Sequence, residues 1–131
     1  MPKDPPRPTQ SELEILAVLW DSGPSTVREV QQVLDARRPT GYTTALKLLQ
    51  IMTEKGLVRR DEKERAHRYS PRIPRERTES QIVGDLLDRA FGGSSSRLVM
   101  RALSSRRASP EELRRIRELL NQIEEIGRAH V

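Results

Sequence analysis

Apolar residues recur at helical spacing in three successive stretches of the first half of the chain, each bracketed by residues that start or stop helices. Leu13, Leu16, Ala17, Val18, Leu19 and Trp20 make up the first. Ahead of them, Thr9-Gln10-Ser11-Glu12 reads as a capping box: the Thr9 hydroxyl takes a free first-turn amide and Glu12 reaches back. Gly23-Pro24 stops this helix. Val27, Val30, Val33 and Leu34 give one apolar face of a second helix that ends near Ala36, with Ser25 offered as its cap. Thr40 and Gly41 open a third, which runs from Tyr42 to Lys55 and ends at Gly56.

Beyond Gly56 the period shortens. Leu57-Val58-Arg59-Arg60 and Ala66-His67-Arg68-Tyr69 read as short strands on either side of the polar run Asp61-Glu62-Lys63-Glu64-Arg65. They form a hairpin whose turn carries no Gly or Asn to mark it. Three helices and then a hairpin is the element order of a winged helix-turn-helix.

Pro71 to Pro74 is a joint, and the pattern after it is helical again. Ile82, Val83, Leu86, Leu87, Ala90 and Phe91 stripe a fourth helix that Gly92-Gly93 ends, and Leu98, Val99, Met100 and Leu103 mark a short fifth. Ser109-Pro110-Glu111-Glu112 combines a cap, a first-turn proline and a box glutamate, and opens a last helix with Leu113, Ile116, Leu120, Ile123 and Ile126 on one side. The expected fold is therefore mainly α: residues 1–8 a flexible arm, 9–72 a winged-helix DNA-binding domain, and 73–131 a helical dimerisation domain. A second subunit is expected because only 34% of residues are apolar and 3% aromatic, too few for a chain of 131 residues to cover every stripe itself. Leu86, Phe91, Leu98, Leu113, Ile116, Leu120 and Ile123 are the side chains expected at that interface. The alternative is a monomer whose second half folds back on the first.

A helix-turn-helix reads DNA by laying one helix in the major groove while its predecessor braces it. At about 100° per residue, Ala45, Leu48, Leu49 and Met52 of the third helix face the core, and Thr43, Lys47, Gln50 and Glu54 face away, with Thr44 and Ile51 on the flank. Lys47 suits guanine O6 or N7, Gln50 suits adenine, and threonine methyls suit thymine. Thr43 or Thr44 can equally hold a phosphate beside the free amides of the first turn. The wing offers Lys63 or Arg65 to phosphate or the minor groove, and Arg28 and the Arg37-Arg38 pair are further candidates near the backbone. Taken singly these are ordinary exposed side chains; their combination points to DNA.

A net charge of +5 suits a polyanionic partner. The absence of cysteine excludes disulfides, thiolate catalysis and thiolate metal sites. His67 and His130 are the only histidines, neither has acids at ligand spacing, and no glycine-rich phosphate loop is present. No catalytic residue, cofactor or metal is therefore expected. With no secretory leader and no stretch approaching the roughly 20 apolar residues of a membrane span, the expected location is the cytoplasm.

Several segments carry a family resemblance. Tyr42-Thr43-Thr44 with Leu48, Met52 and Glu54-Lys55-Gly56-Leu57-Val58 resembles the third helix and wing entry of the BlaI/MecI/CopY, or penicillinase repressor, family. Ala66-His67-Arg68-Tyr69-Ser70-Pro71 resembles its wing exit. Phe91-Gly92-Gly93, Leu98-Val99 and Ser109-Pro110-Glu111-Glu112-Leu113 resemble its dimerisation half, so the similarity spans about residues 9 to 126. The resemblance implies a winged-helix dimer that blocks promoters of resistance or stress-response operons. In penicillin-responsive members a membrane sensor with a metalloprotease domain triggers cleavage of an Asn-Phe bond; Arg101-Ala102 stands at the position that looks equivalent. Copper-responsive members use C-terminal cysteine pairs, which this chain lacks. The leading expectation is a repressor that binds a palindromic operator as a homodimer and is released by an unidentified signal, proteolysis being one route. The alternative is a winged-helix protein-interaction module, which would more often expose an apolar patch on its third helix than a polar strip.

Overall fold

The computed structural model describes residues 6–129; the outer part of the proline-rich arm, residues 1–5, and the pair His130 and Val131 lie outside them. The elements are α1 (Gln10–Ser22), β1 (Ser25–Thr26), α2 (Val27–Arg37), α3 (Tyr42–Lys55), β2 (Val58–Asp61), β3 (Arg68–Pro71), α4 (Arg75–Arg89), α5 (Ser95–Ser105) and α6 (Pro110–Ala129). The chain divides into two compact units, Met1–Ile82 and Val83–Val131, and the division falls inside α4.

Local chemistry accounts for the helix starts. The Thr9 hydroxyl accepts from the Glu12 amide at 3.2 Å and the Glu12 carboxylate accepts from the Thr9 amide at 2.9 Å, so the capping box of α1 is complete. Thr26, rather than Ser25, caps α2. The Thr26-Val27-Arg28-Glu29 spacing places a glutamate at the third helical position, where it closes a second box with bonds of 2.8 and 3.2 Å. Ser25 instead lies in β1 and its hydroxyl donates to the Gly23 carbonyl at 2.8 Å. Gly56 ends α3 at φ 80, a left-handed conformation that L side chains adopt at a cost, and turns the chain into β2.

The sheet has the order β1-β3-β2, antiparallel throughout. Its strands begin one or two residues later than the apolar runs suggest, pairing Val58 with Pro71 and Asp61 with Arg68. Tyr69 on the central strand pairs with Ser25 on one side and Arg60 on the other, and its ring closes the core. Ile15, Leu16 and Leu19 of α1, Val30 and Leu34 of α2, and Ala45, Leu49 and Met52 of α3 meet Leu57, Val58 and Tyr69 there. Each large apolar side chain so buried contributes about 1.5–3 kcal/mol.

The joint at Pro71–Pro74 is pinned to this unit. The Arg72 amide donates to the Leu57 carbonyl at 3.0 Å, and the Trp20 indole donates to the Ile73 carbonyl at 3.2 Å. Arg75 then lies over the Trp20 ring and pairs with Asp21 at 2.7 Å, while Thr78 is buried. α4 accordingly begins at Arg75, well before its apolar stripe at Ile82.

In the second unit, α5 is capped by Ser94, whose hydroxyl accepts from the Arg97 amide. α6 opens on the Ser109–Glu112 box, with bonds of 3.1 and 3.3 Å. Among the described residues of this unit no side chain is buried. Leu86, Leu120 and Ile123 are 43, 53 and 56% exposed, and Phe91, Leu98, Leu113 and Ile116 are half-buried.

Candidate nucleic-acid interface

The α2–α3 turn is tied down on both sides, and this sets the direction in which α3 leaves it. The Gln31 side-chain amide donates to the Thr40 carbonyl at 2.9 Å, the Thr40 amide donates to Asp35 at 2.9 Å, and the Thr40 hydroxyl donates to the Arg38 carbonyl at 3.0 Å. With α3 so anchored, Ala45, Leu49 and Met52 are fully buried, and Leu46 and Leu48 pack against the edge of the core. The opposite side presents Thr43, Thr44, Lys47, Gln50 and Glu54 to solvent, with Ile51 beside them. Gly41, which has no side chain to give, is the N-cap of α3, so no side chain caps the amides of its first turn. At its far end the Lys55 ammonium reaches the buried Glu12 carboxylate at 2.6 Å and fastens α3 to the start of α1. Burial alone would raise the Glu12 pKa, but the hydrogen bond and charge of Lys55 and the Thr9 amide outweigh it and hold the carboxyl below its ordinary value.

The basic residues near this strip fall into two groups. Arg38 donates to both carboxylate oxygens of Glu14 on α1, at 3.0 and 2.9 Å, so its charge is compensated within the fold. Arg60 pairs with Glu62, and Arg68 pairs with Glu29 at 3.2 Å and with Glu64 at 3.5 Å. Bonds from the Thr26 amide and hydroxyl hold the Glu29 carboxyl below its ordinary value, and Arg68 adds to them. Arg28, Lys47, Lys63 and Arg65, by contrast, enter no ion pair among the described residues. Of the eight side chains expected to meet DNA, Thr43, Thr44, Lys47 and Gln50 share one exposed face, Arg28, Lys63 and Arg65 lie on the flanking α2 and wing as open cations, and Arg38 is turned to Glu14.

One feature has no sequence signal at all. The Arg28 guanidinium lies 5.9 Å from the centre of the Tyr42 ring, joining the first turns of α2 and α3. Nothing in the local pattern pairs these two positions.

No group of His, Cys, Asp or Glu among the described residues is arranged to hold a metal ion. No helix among them is long and apolar enough to cross a membrane.

Comparison with known proteins agrees with this geometry. The chain is 33% identical over 114 residues to a transcriptional regulator BlaI of Mycobacterium tuberculosis, an alignment covering 86% of this chain and 82% of that protein. It resembles the solution structure of the DNA-binding domain of the repressor BlaI, at 25% identity and a TM-score of 0.50, covering 59% of this chain and 93% of that one. The same values hold for the Bacillus licheniformis BlaI monomeric form solved in complex with the blaP half-operator. These named relatives are transcriptional regulators rather than enzymes. The penicillinase repressor family model matches residues 8–122, and with a match of that extent the chain belongs to the penicillinase repressor family.

Proposed function

We propose that the chain represses transcription by occupying a palindromic promoter operator as a homodimer, with one α3 in each of two successive major grooves. The supporting observation is the polar strip of α3, which the burial of Ala45, Leu49 and Met52 holds outward. Lys47 and Gln50 read base edges, Thr43 and Thr44 take a base or a phosphate, and Lys63 and Arg65 follow the backbone from the wing. The BlaI monomeric form from Bacillus licheniformis carries a half-operator, and the similar unit here takes one half-site in the same way. Two reading helices one turn of duplex apart, about 34 Å, then require the second halves of two chains to join. The stripe of α6, Leu113, Ile116, Leu120 and Ile123, supplies the apolar surface for this, and Leu86, Phe91 and Leu98 add to it.

Repression follows from steric exclusion of the polymerase in the cytoplasm. It ends when a signal, relayed by a membrane sensor or protease, separates the two copies. Cleavage of the second half would have to accept Arg101-Ala102.

The decisive experiment titrates Lys47→Ala against the chain's own upstream region and against random duplex. Specific binding is expected to fall about tenfold more than nonspecific binding, as loss of a base contact worth about 1–3 kcal/mol requires. Equal losses on both duplexes would remove Lys47 and its helix from base recognition.

A further inference from the structure

Between α2, α3 and the wing lies an open cleft of about 350 Å³. Thr26 at the cap of α2 and Arg28 in its first turn line it on one side, Tyr42 and Leu46 from α3, and Arg65 and His67 from the wing loop between β2 and β3. Two arginines with no acidic partner among the described residues, one on α2 and one in the wing, therefore line the same recess. The nearest acid on α2, Glu29, is already engaged by the Thr26 amide and by Arg68. Like charges so placed repel one another until an anion lies between them. Arg28 also has a ring to position it, its guanidinium lying 5.9 Å from the centre of Tyr42.

The position of the cleft specifies the anion. When a helix fills the major groove and a wing reaches the adjoining minor groove, the strand separating the two grooves passes between them, and that strand is a row of phosphates. We propose that the cleft seats one backbone phosphate of the bound duplex. Arg28 is its principal donor, Tyr42 is the positioning residue that holds Arg28, and Arg65 and His67 line the cleft from the wing. This inference rests on the DNA-binding reading above and adds a contact that carries no sequence information. Tyr42 itself, 47% exposed, contributes through its ring face rather than through packing.

The test measures binding of the full chain to operator duplex and to random duplex across a salt series. Each phosphate contact contributes close to one unit to the slope of log affinity against log salt. Arg28→Ala is expected to lower that slope by about one on both duplexes and to weaken binding about tenfold. Tyr42→Ala is expected to lower the slope in the same direction, Tyr42→Phe to restore it, and Tyr42→Ala to add nothing to Arg28→Ala. Circular dichroism confirms that each variant is folded. An unchanged slope for Arg28→Ala overturns the proposal, and so does a Tyr42→Phe variant as impaired as Tyr42→Ala. If inorganic phosphate at millimolar concentration protects Arg28 from guanidine-directed labelling while duplex DNA does not, the cleft serves a free phosphate compound and the proposal fails. Because random duplex reads the phosphate term by itself, a chain that binds DNA without preferring its operator would refute the operator reading and leave this one standing.

Discussion

The two units use the same sequence grammar and reach opposite ends. α1, α2 and α3 each carry an apolar stripe, and the three stripes face one another across Tyr69 and the strand residues Leu57 and Val58, burying Ile15, Leu16, Leu19, Val30, Leu34, Leu49 and Met52 to 5% exposure or less, while Val33 at the edge of α2 stays 38% exposed. α5 and α6 carry stripes as regular as these, yet Met100 is 67% and Ile126 is 59% exposed. A periodic pattern therefore tells which face of a helix seeks cover but not whether the covering surface lies in the same chain. The first unit is expected to fold on its own. The second is expected to gain its stability from another copy, so that stability there depends on protein concentration.

The sharpest way to break this contrast is to charge the face without a cover. Leu120→Glu combined with Ile123→Glu on α6 is expected to yield monomers in analytical ultracentrifugation, because a carboxylate buried in an apolar interface has no partner. Affinity for the full operator should then drop by about 100-fold or more, since the second head no longer binds at the effective concentration set by the first. Affinity for a single half-site should change by less than about threefold. A variant that stays dimeric would mean that the α6 stripe is covered by some other surface.

The reverse experiment cuts into the covered unit. Leu49→Ala removes a fully buried side chain at the point where α3 meets the core. A loss of about 3 kcal/mol is expected in urea unfolding, with the cavity adding to the lost transfer energy. Leu103→Ala in α5, where the side chain is 39% exposed, should cost much less in the isolated chain at low concentration. Similar losses at both positions would abolish the distinction between the units.

How much of this could be read from the sequence depends on distance along the chain. Starts of α1 and α6 follow from boxes within four residues, so Thr9 and Ser109 were legible, whereas the run Ser94-Ser95-Ser96 left three candidate caps for α5, of which Ser94 is the one used. The outward strip of α3 was legible for the same reason, because helical geometry alone separates Lys47 and Gln50 from Leu49 and Met52. Contacts that couple remote positions carry no local pattern. β1 is two residues long and exists only because Ser25 and Thr26 find β3; the Trp20 indole meets the Ile73 carbonyl 53 positions away. Both set the real boundaries: α2 is capped by Thr26 rather than Ser25, and α4 starts on an arginine held by Trp20 and Asp21. In the candidate interface the sequence supplies the list of cations but not their pairing, which is why Arg28 and Arg38 look alike until their partners are known.

A smaller effect probes how α3 is fastened within the covered unit. Glu12→Gln keeps the capping box, since Gln also fits its third position, but removes the charge that Lys55 meets at 2.6 Å. At neutral pH the loss is expected to be about 2 kcal/mol; Lys55 is partly solvated and can recover water. The folded chain holds the Glu12 carboxyl below its ordinary value of 4.5, so its charge stabilises the fold above that value and ceases to do so as pH falls through the depressed one. Wild type should therefore lose stability below about pH 4.5 faster than Glu12→Gln, and urea midpoints of the two should converge on acidification. Midpoints that run parallel down to pH 3 would mean that folding does not lower the Glu12 pKa.

The smallest effect is expected at Arg38, and its smallness is informative. Glu14 already takes up the charge of Arg38 through two bonds, so leaving Glu14 to contact a phosphate would cost about as much as it returns. Arg38→Ala should change the slope of log affinity against log salt by less than about half a unit, against about one for Arg28→Ala. Removing Glu14 reverses the situation. In Glu14→Ala, Arg38 becomes an open cation beside Thr40 and Thr44, which line the same shallow groove, and affinity for duplex of any sequence is expected to rise about twofold to threefold. If Arg38→Ala instead costs a full unit of slope, the Glu14 pair dissolves when DNA arrives, and compensation within the fold is not what separates the useful cations from the rest.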